Sequence, residues 1–399
     1  MIRRFLASRG ARKFRRSRLA VAALAVIGLY GALAASIILA GLITLDDAER
    51  RIGPDSVPGW LEARSPEKRL RDCAFYLDHL DRALAQRDVP AALARLPFGG
   101  RAPFTTDADL LRERVDEAYV TLDELSEADD LDDDPALLPR LAEVEAQTAA
   151  LLAPLTGAAR WVDPLVRALG TDRQGRSILL RSLYSAKVAV QVGLIVAGIS
   201  VITGAVLGAA AAFLGGWVDH AVVWLYSTLS SMPELVLLAV LVYMFSGSVF
   251  DDVSRPALSL VPVYAAMCMT FWIGTCRVIR GEAMKIKELE YIQAARALGL
   301  SRAAVLVRHV LPNTLHLMFI NFSLLFIAAI KFEVVLSFLG LGVKVGPSWG
   351  RMIAESEPEV INGFFWQIGA ATAFMFILVL AFNIVSDALQ DAFDPKHVG

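Results

Sequence analysis

Cysteine is scarce in this chain of 399 residues, and the three that occur, Cys73, Cys268 and Cys276, are too scattered for a disulfide framework or a thiolate metal cluster. Histidine is nearly as rare, with five in all, and His79 is the only one in the long polar segment 46–182. That segment therefore has little material for a catalytic or metal-binding cluster. No G-x-x-x-x-G-K-[ST] loop is present to cradle phosphates. No nucleophile with a nearby base and orienting group stands out either. Acid is absent from the first eighteen residues, which hold Arg3, Arg4, Arg9, Arg12, Lys13, Arg15, Arg16 and Arg18.

What the chain has in excess is apolar length. Hydrophobic residues make up 56% of it and its mean hydropathy is +0.52, above the roughly 45–50% apolar content of soluble domains. Six runs, at 19–45 and approximately 188–214, 220–246, 257–279, 314–340 and 364–386, are long enough to cross about 30 Å of hydrocarbon. The fold expected is an all-α integral membrane protein with six transmembrane helices. The basic start predicts a cytoplasmic tail at 1–18, ahead of a first helix at 19–45. A cleaved signal peptide is the rival reading, since "ALAAS" at 32–36 offers small residues, but the apolar run continues to Leu45.

Counting spans from an inside N-terminus puts 46–182 outside as a helical insertion, 183–390 in a five-helix core, and 391–399 in a cytoplasmic tail. Within the insertion, "DADLLRERVDEAYVTLDELSEA" and "PALLPRLAEVEAQTAALLAPL" mix apolar and charged residues at helical spacing around the breaker "DDLDDDP". This predicts an antiparallel helical pair. The acids Asp129, Asp130, Asp132, Asp133 and Asp134 lack the glycine and terminal glutamate of a calcium loop and read as a solvated turn.

Between spans four and five lies a polar stretch, 281–313, with Arg277 and Arg280 just before it and Lys285, Lys287, Arg296, Arg302 and Arg308 within it, which agrees with a cytoplasmic position. Good helix formers run to Leu298, and Gly299 supplies a left-handed stop. Ser301 is a favoured N-cap, with Leu300 and Val305 at the positions of a hydrophobic staple. Pro312 suits the start of the next span. Ala294 and Ala295 remove side-chain bulk, either to let another surface approach the backbone or merely because alanine favours helix.

The string "EYIQAARALGLSRAAVLVRHVLPN" at 290–313 resembles the cytoplasmic docking loop of binding-protein-dependent ABC importer permeases: Glu-Ala-Ala, three residues, Gly, then Leu-Pro. Other segments are similar to the C-type permease of dipeptide, oligopeptide and nickel importers, in that family's order. They are "LGTDRQGRSILLRSLYSAKVAV" at 169–190, "GGWVD" at 215–219, "LSFLGLGV" at 336–343, "PSWG" at 347–350 and "DALQDAFDP" at 387–395. The match spans approximately 165–396, plus the first span by position. Gln293 stands where the motif usually has glutamate, Ser177 where aspartate is usual, Lys331 is an unexpected charge, and the family's connection between spans one and two is commonly much shorter.

The resemblance implies a type I ABC importer permease fold in a multi-pass inner-membrane protein with both termini cytoplasmic. It implies a chain without cofactor of its own, whose partners are a second, B-type permease, two cytoplasmic ATPases using ATP and Mg, and an extracytoplasmic solute-binding protein, with no nucleic acid. Its coupling residues would be Gln293, Ala294, Ala295, Gly299, Leu311 and Pro312. Glu234, Lys331 and Glu333 are candidates to line the translocation path, because charges inside a bilayer usually face a bundle interior or a watery route. Two rival classes are a membrane-anchored sensor or enzyme acting through 46–182, and an ATP-independent channel or secondary transporter. The first would need a catalytic or ligand cluster in 46–182, where His79 is the only histidine, and the second would not need the docking grammar.

Overall fold

A computed structural model describes residues 17–53, 66–94, 102–126, 137–154, 159–246, 259–361 and 363–393. The acids at 129–134 and the basic residues before Ser17 lie outside them. In chain order the helices are α1 (Arg18–Leu39), α2 (Leu45–Glu49), α3 (Pro66–Leu84), α4 (Val89–Ala94), α5 (Ala108–Ser126), α6 (Leu137–Ala150) and α7 (Ala159–Val166). Then come α8 (Ile178–Leu214), α9 (Gly216–Ser230), α10 (Glu234–Phe245), α11 (Val261–Lys287), α12 (Glu290–Ala297) and α13 (Arg302–Val305). A π-helical turn (Leu306–Val310), α14 (Leu311–Asn313), α15 (Leu315–Phe338), α16 (Trp349–Glu355), α17 (Glu357–Ile361) and α18 (Trp366–Phe393) complete the order. The fold is all-α, as expected.

Among the described residues five helices, α1, α8, α11, α15 and α18, are long and apolar enough to cross a membrane. The remaining expected span, 220–246, is not one straight helix: α9 and α10 meet at a 93° bend and make a sixth crossing only if the pair is one broken span. Pro233 explains the break. It cannot donate to the preceding turn and its ring displaces the carbonyl four residues back, so α9 stops at Ser230 and Pro233 becomes the N-cap of α10.

The chain divides into two compact units. The first comprises 1–42, 183–354 and 371–399. Its helices meet through glycines: a Cβ on Gly204 would lie 2.6 Å from the Trp272 carbonyl oxygen and one on Gly208 2.4 Å from that of Cys276, so α8 lies directly against the α11 backbone. Small residues four apart permit this approach, which matters in lipid, where packing rather than water exclusion holds helices together. Tyr30 on α1 donates its hydroxyl to the Phe374 carbonyl of α18 at 2.9 Å, and Phe326 of α15 stacks on Phe382 of α18 at 3.8 Å.

The second unit comprises 43–182 and 355–370. Where two antiparallel helices were expected, α3, α5 and α6 pack on one core that includes Leu77, Leu80, Leu111, Val115, Leu122 and Leu141. The third helix, α3, belongs to a stretch whose dense charge hides its apolar stripe. Arg69 of α3 grips Glu145 of α6 through two bonds of 2.8 and 2.6 Å, and that pairing holds its guanidinium above the usual range. Cys73 fills the same core as a small apolar side chain, and burial pushes its thiol up to about 11, so it stays protonated at neutral pH.

A buried ion cluster ties this unit's separate segments. Arg176 donates to Asp172 (2.7 Å), Glu49 (2.6 Å) and Glu355 (2.8 Å), and Arg181 to Asp172 (2.7 Å) and Glu355 (2.6 Å). Burial pulls the Arg176 pKa down, but the three carboxylates more than offset it and the net shift is upward. Beside it, Ser177 is the N-cap of α8. Its hydroxyl accepts from the Leu180 N–H at 3.2 Å and donates to the Val166 carbonyl at 2.5 Å. Serine thus serves in a cap position where aspartate would also serve.

The glycine contacts give a paired prediction. Gly208→Leu should lower the melting temperature of the detergent-solubilised protein by several degrees, because its Cβ meets main chain that cannot yield. Gly198→Ala, where an added Cβ meets nothing within 4 Å, should leave it unchanged or raise it. Equal melting of both variants and wild type would contradict the packing.

Candidate coupling element and charged residues of the membrane helices

The stretch 281–313 is a bent element built on the end of α11. The α11 helix stops at Glu288, and Leu289 in extended conformation starts α12. The α12 helix ends in a Schellman motif: the Gly299 N–H donates to the Arg296 carbonyl at 3.0 Å and the Leu300 N–H to that of Ala295 at 3.2 Å. Gly299 has φ +84°, and a Cβ there would meet nothing within 4 Å. Its requirement for glycine is therefore one of backbone conformation, not of space.

Ser301 then caps α13 by accepting from the Ala304 N–H at 3.2 Å, and the staple forms, with Val305 fully buried and Leu300 packed on the same cluster. That cluster joins Ala205, Ala209 and Phe213 of α8, Ile279, Ala283 and Ile286 of α11, Ile292 of α12, and Val310. The bent element is thus anchored by the same apolar core that joins two long helices.

Two features were missed by sequence reasoning. One is the π-helical turn, in which the Leu311 N–H reaches back to the Leu306 carbonyl. It immediately precedes Pro312, whose missing N–H and bulky ring disturb the ordinary i−4 ladder at this point. The other is a set of polar ties. Asn313 donates to the Tyr291 hydroxyl at 2.8 Å and so links the start of α12 to the end of α14. Arg280 of α11 forks onto Asp219 of α9 at 2.6 and 2.7 Å, and Lys287 donates to the Ala212 carbonyl in the last turn of α8 at 3.3 Å. Asp219 stands after Gly215 (φ +67°) and Gly216 (φ +53°), which turn the chain from α8 into α9. The quoted segment "GGWVD" held this signal, but nothing in the sequence named Arg280 as the partner.

Gln293 lies exposed on α12, and its side-chain amide donates to the Glu288 carbonyl at 3.1 Å. A carboxylate cannot make that bond. Ala294 is also exposed, Ala295 half-buried, and Leu311 and Pro312 half-buried against α8 and α15 in a cleft with Ile202, Val206 and Met318. Two apolar side chains stand out on the element's free surface, Leu298 at 82% exposure and Val307 at 64%.

The three charged candidates are not brought together. Glu234 is exposed in the first turn of α10, Lys331 is exposed on α15, and Glu333 is buried, 1% exposed, on another face of α15. Among the described residues no ion pair joins Lys331 to either carboxylate. Glu333 instead accepts from the Ser337 hydroxyl at 2.7 Å and from Ser348. Ser337 Oγ in turn accepts from the Val343 N–H at 3.1 Å, while Gly342 and Gly350 press so close that a Cβ on either would overlap Ser337 or the α15 backbone. The segments "LSFLGLGV" and "PSWG" therefore fold onto the C-terminal end of α15 around Glu333.

Residues 204–398 match the binding-protein-dependent transport system inner membrane component family. Over 228 residues the chain is 32% identical to the dipeptide transport system permease protein of Bacillus subtilis, covering 57% of this chain and 68% of that one. It is 31% identical over 230 residues to the oligopeptide transport system permease protein of Escherichia coli K12, covering 57% and 72%. It is 30% identical over 229 residues to the glutathione transport system permease protein of Pectobacterium atrosepticum, again covering 57% and 72%. The chain belongs to this family of transport permeases. It is a multi-pass inner-membrane component of an importer, not an enzyme.

The Asp219–Arg280 pair yields a test by double-mutant cycle. Asp219→Asn and Arg280→Gln should each lower the melting temperature of the solubilised protein, and the double variant should melt no lower than the worse single. Strictly additive losses would show that the two side chains act separately.

Proposed function

We propose that this permease forms one half of the translocation path of an ATP-driven importer of peptides or peptide-like solutes, and that 290–313 is its ATPase-coupling element. The observation that carries the reading is the bent element itself: a glycine-stopped, serine-started pair of short helices, exposed on one side and anchored on the other in the core shared by α8 and α11. The relatives' names, for dipeptide, oligopeptide and glutathione transport, support a peptide-like cargo.

On this reading a second permease completes the path, two cytoplasmic ATPases use ATP and Mg, and an external binding protein delivers cargo. The chain's N- and C-termini are cytoplasmic, and 46–182 stands on the outer side as an accessory to docking of the binding protein. Leu298 and Val307, with the small exposed Ala294 beside Gln293, supply the surface on which an ATPase seats. ATP-driven closure of the ATPases then biases one of two membrane arrangements, and the element carries that bias into α11 and α15. Glu234 and Lys331, both exposed, are the path-lining charges. Glu333 supports the end of α15 that flanks the path. A sensor or enzyme acting through the outer segment, or an ATP-independent channel, is not favoured, since neither uses the element.

Gly299→Val should insert normally but lose uptake while the partner ATPases still hydrolyse ATP, because a β-branched residue cannot hold φ near +84° and the bend is lost. Membrane insertion by protease protection, ATP hydrolysis and uptake in proteoliposomes would be measured together. Wild-type uptake would refute the coupling role. Gln293→Glu should assemble and transport, with a slightly lower melting temperature from the lost bond to Glu288 and a negative charge at the α11 C-terminus. Failure of that variant to assemble with the ATPases would mean that the site meets its partner differently.

A further inference from the structure

The second unit contains a cleft of about 450 Å³ with an unusual charge distribution. Three arginines line it, Arg51, Arg71 and Arg173, drawn from the segment after α2, from α3 and from the loop before α8. All three are exposed, and none of the three guanidinium groups has an ionic or hydrogen-bonding partner among the described residues. Several other arginines of the same unit are paired. Arg69 is gripped by Glu145, Arg82 by Asp78, Arg167 by Asp163, and Arg176 and Arg181 by the buried acid cluster. The unit is rich in acids, so three unpaired arginines on one cleft are not a shortage of partners.

The cleft is also held in shape. Its floor includes Gly175, where φ is +74° and a Cβ would fall 1.9 Å from the Gly53 carbonyl oxygen. The Ile52 N–H donates to the Gly175 carbonyl at 2.7 Å and fixes the Arg51 segment against the Arg173 loop. Directly beneath, Asp172 and Arg176 anchor that loop, with the Gln174 N–H donating to Asp172 at 2.9 Å. Phe75 gives one wall an apolar face, and Asp78, the acid on the lining, is already neutralised by Arg82. Guanidinium forks are matched to planar carboxylates and to phosphate oxygens, which they bind with paired hydrogen bonds. A volume of this size lies within the range of small-molecule sites.

We propose that this cleft is a binding site for a small oxyanion, a phosphate-bearing or polycarboxylate group held by Arg51, Arg71 and Arg173. It is separate from the coupling element and does not depend on the cargo. The same chemistry is offered by a soluble anion and by the headgroup of an anionic lipid.

Equilibrium binding of inorganic phosphate and of citrate to the purified full-length permease in phosphatidylcholine nanodiscs tests this. The wild type should bind at least one of them saturably and more weakly as salt rises. Each of Arg51→Gln, Arg71→Gln and Arg173→Gln should weaken binding about tenfold, and the triple variant should lose it. Asp78→Asn should tighten it, a change that a merely damaged fold would not produce. Nanodiscs containing phosphatidylglycerol separate the sources: undiminished phosphate or citrate binding supports a soluble ligand, and competition by the lipid supports a headgroup in the same site. Absence of saturable binding to wild type, or unchanged binding in the triple variant with an unaltered melting temperature, would overturn the proposal.

Discussion

The interaction on which the first unit depends is the apolar core shared by α8, α11 and the bent element. One face of α11 carries Cys276, Ile279, Ala283 and Ile286, all fully or almost fully buried. Gly204 and Gly208 bring α8 against the α11 backbone, while Ile292, Val305 and Val310 fasten the element to the same core. In hydrocarbon, helices are held by close packing and by polar ties, and this seam has both, since Asp219–Arg280 and Lys287 to Ala212 close its polar end. A push on the exposed surface of α12 or α13 therefore reaches two membrane helices through packed side chains and not through a flexible linker.

Basic residues that would ordinarily be read only as topology markers carry part of this load. Arg280 and Lys287 make the two ties, Arg277 donates to Ser230 at 2.7 Å and lies over the Tyr226 ring at 4.8 Å, and Arg296 lies over Phe213 at 5.9 Å. A cation near a membrane surface can set orientation and join helices at once, because its charge acts at long range and its donors act locally. Glu333 shows the converse. A lone carboxylate in an apolar run suggests a path, yet here two serine hydroxyls hold it within the fold of the α15 terminus.

Much of this was legible in the sequence, for identifiable reasons. Gly299, Ser301, Leu300 and Val305 sit within a few residues of one another, and capping rules are local, so the bend was written in one short string. The apolar runs announced their helices by length alone. What local rules do not reach is pairing across the chain: Asp219 with Arg280 across 61 positions, or Arg176 with Glu355 across 179. The break at Pro233 was visible as a proline, but the hydropathy of the run outweighed it. The third helix of the second unit was missed because charged residues dilute its stripe, and the bond made by Gln293 was missed because its partner is a backbone carbonyl.

The bent element and the end of α11, packed on one core, should move as one rigid piece. Pulsed electron paramagnetic resonance between spin labels at Arg302 and Met284, in the assembled importer, decides the point. Both side chains are exposed and neither belongs to the surface assigned to the ATPase, so labels fit without repacking. The same narrow distance distribution is expected with and without ATP. A distribution that broadens or shifts by several ångströms on ATP binding would show that the element flexes on its own, and would contradict that expectation.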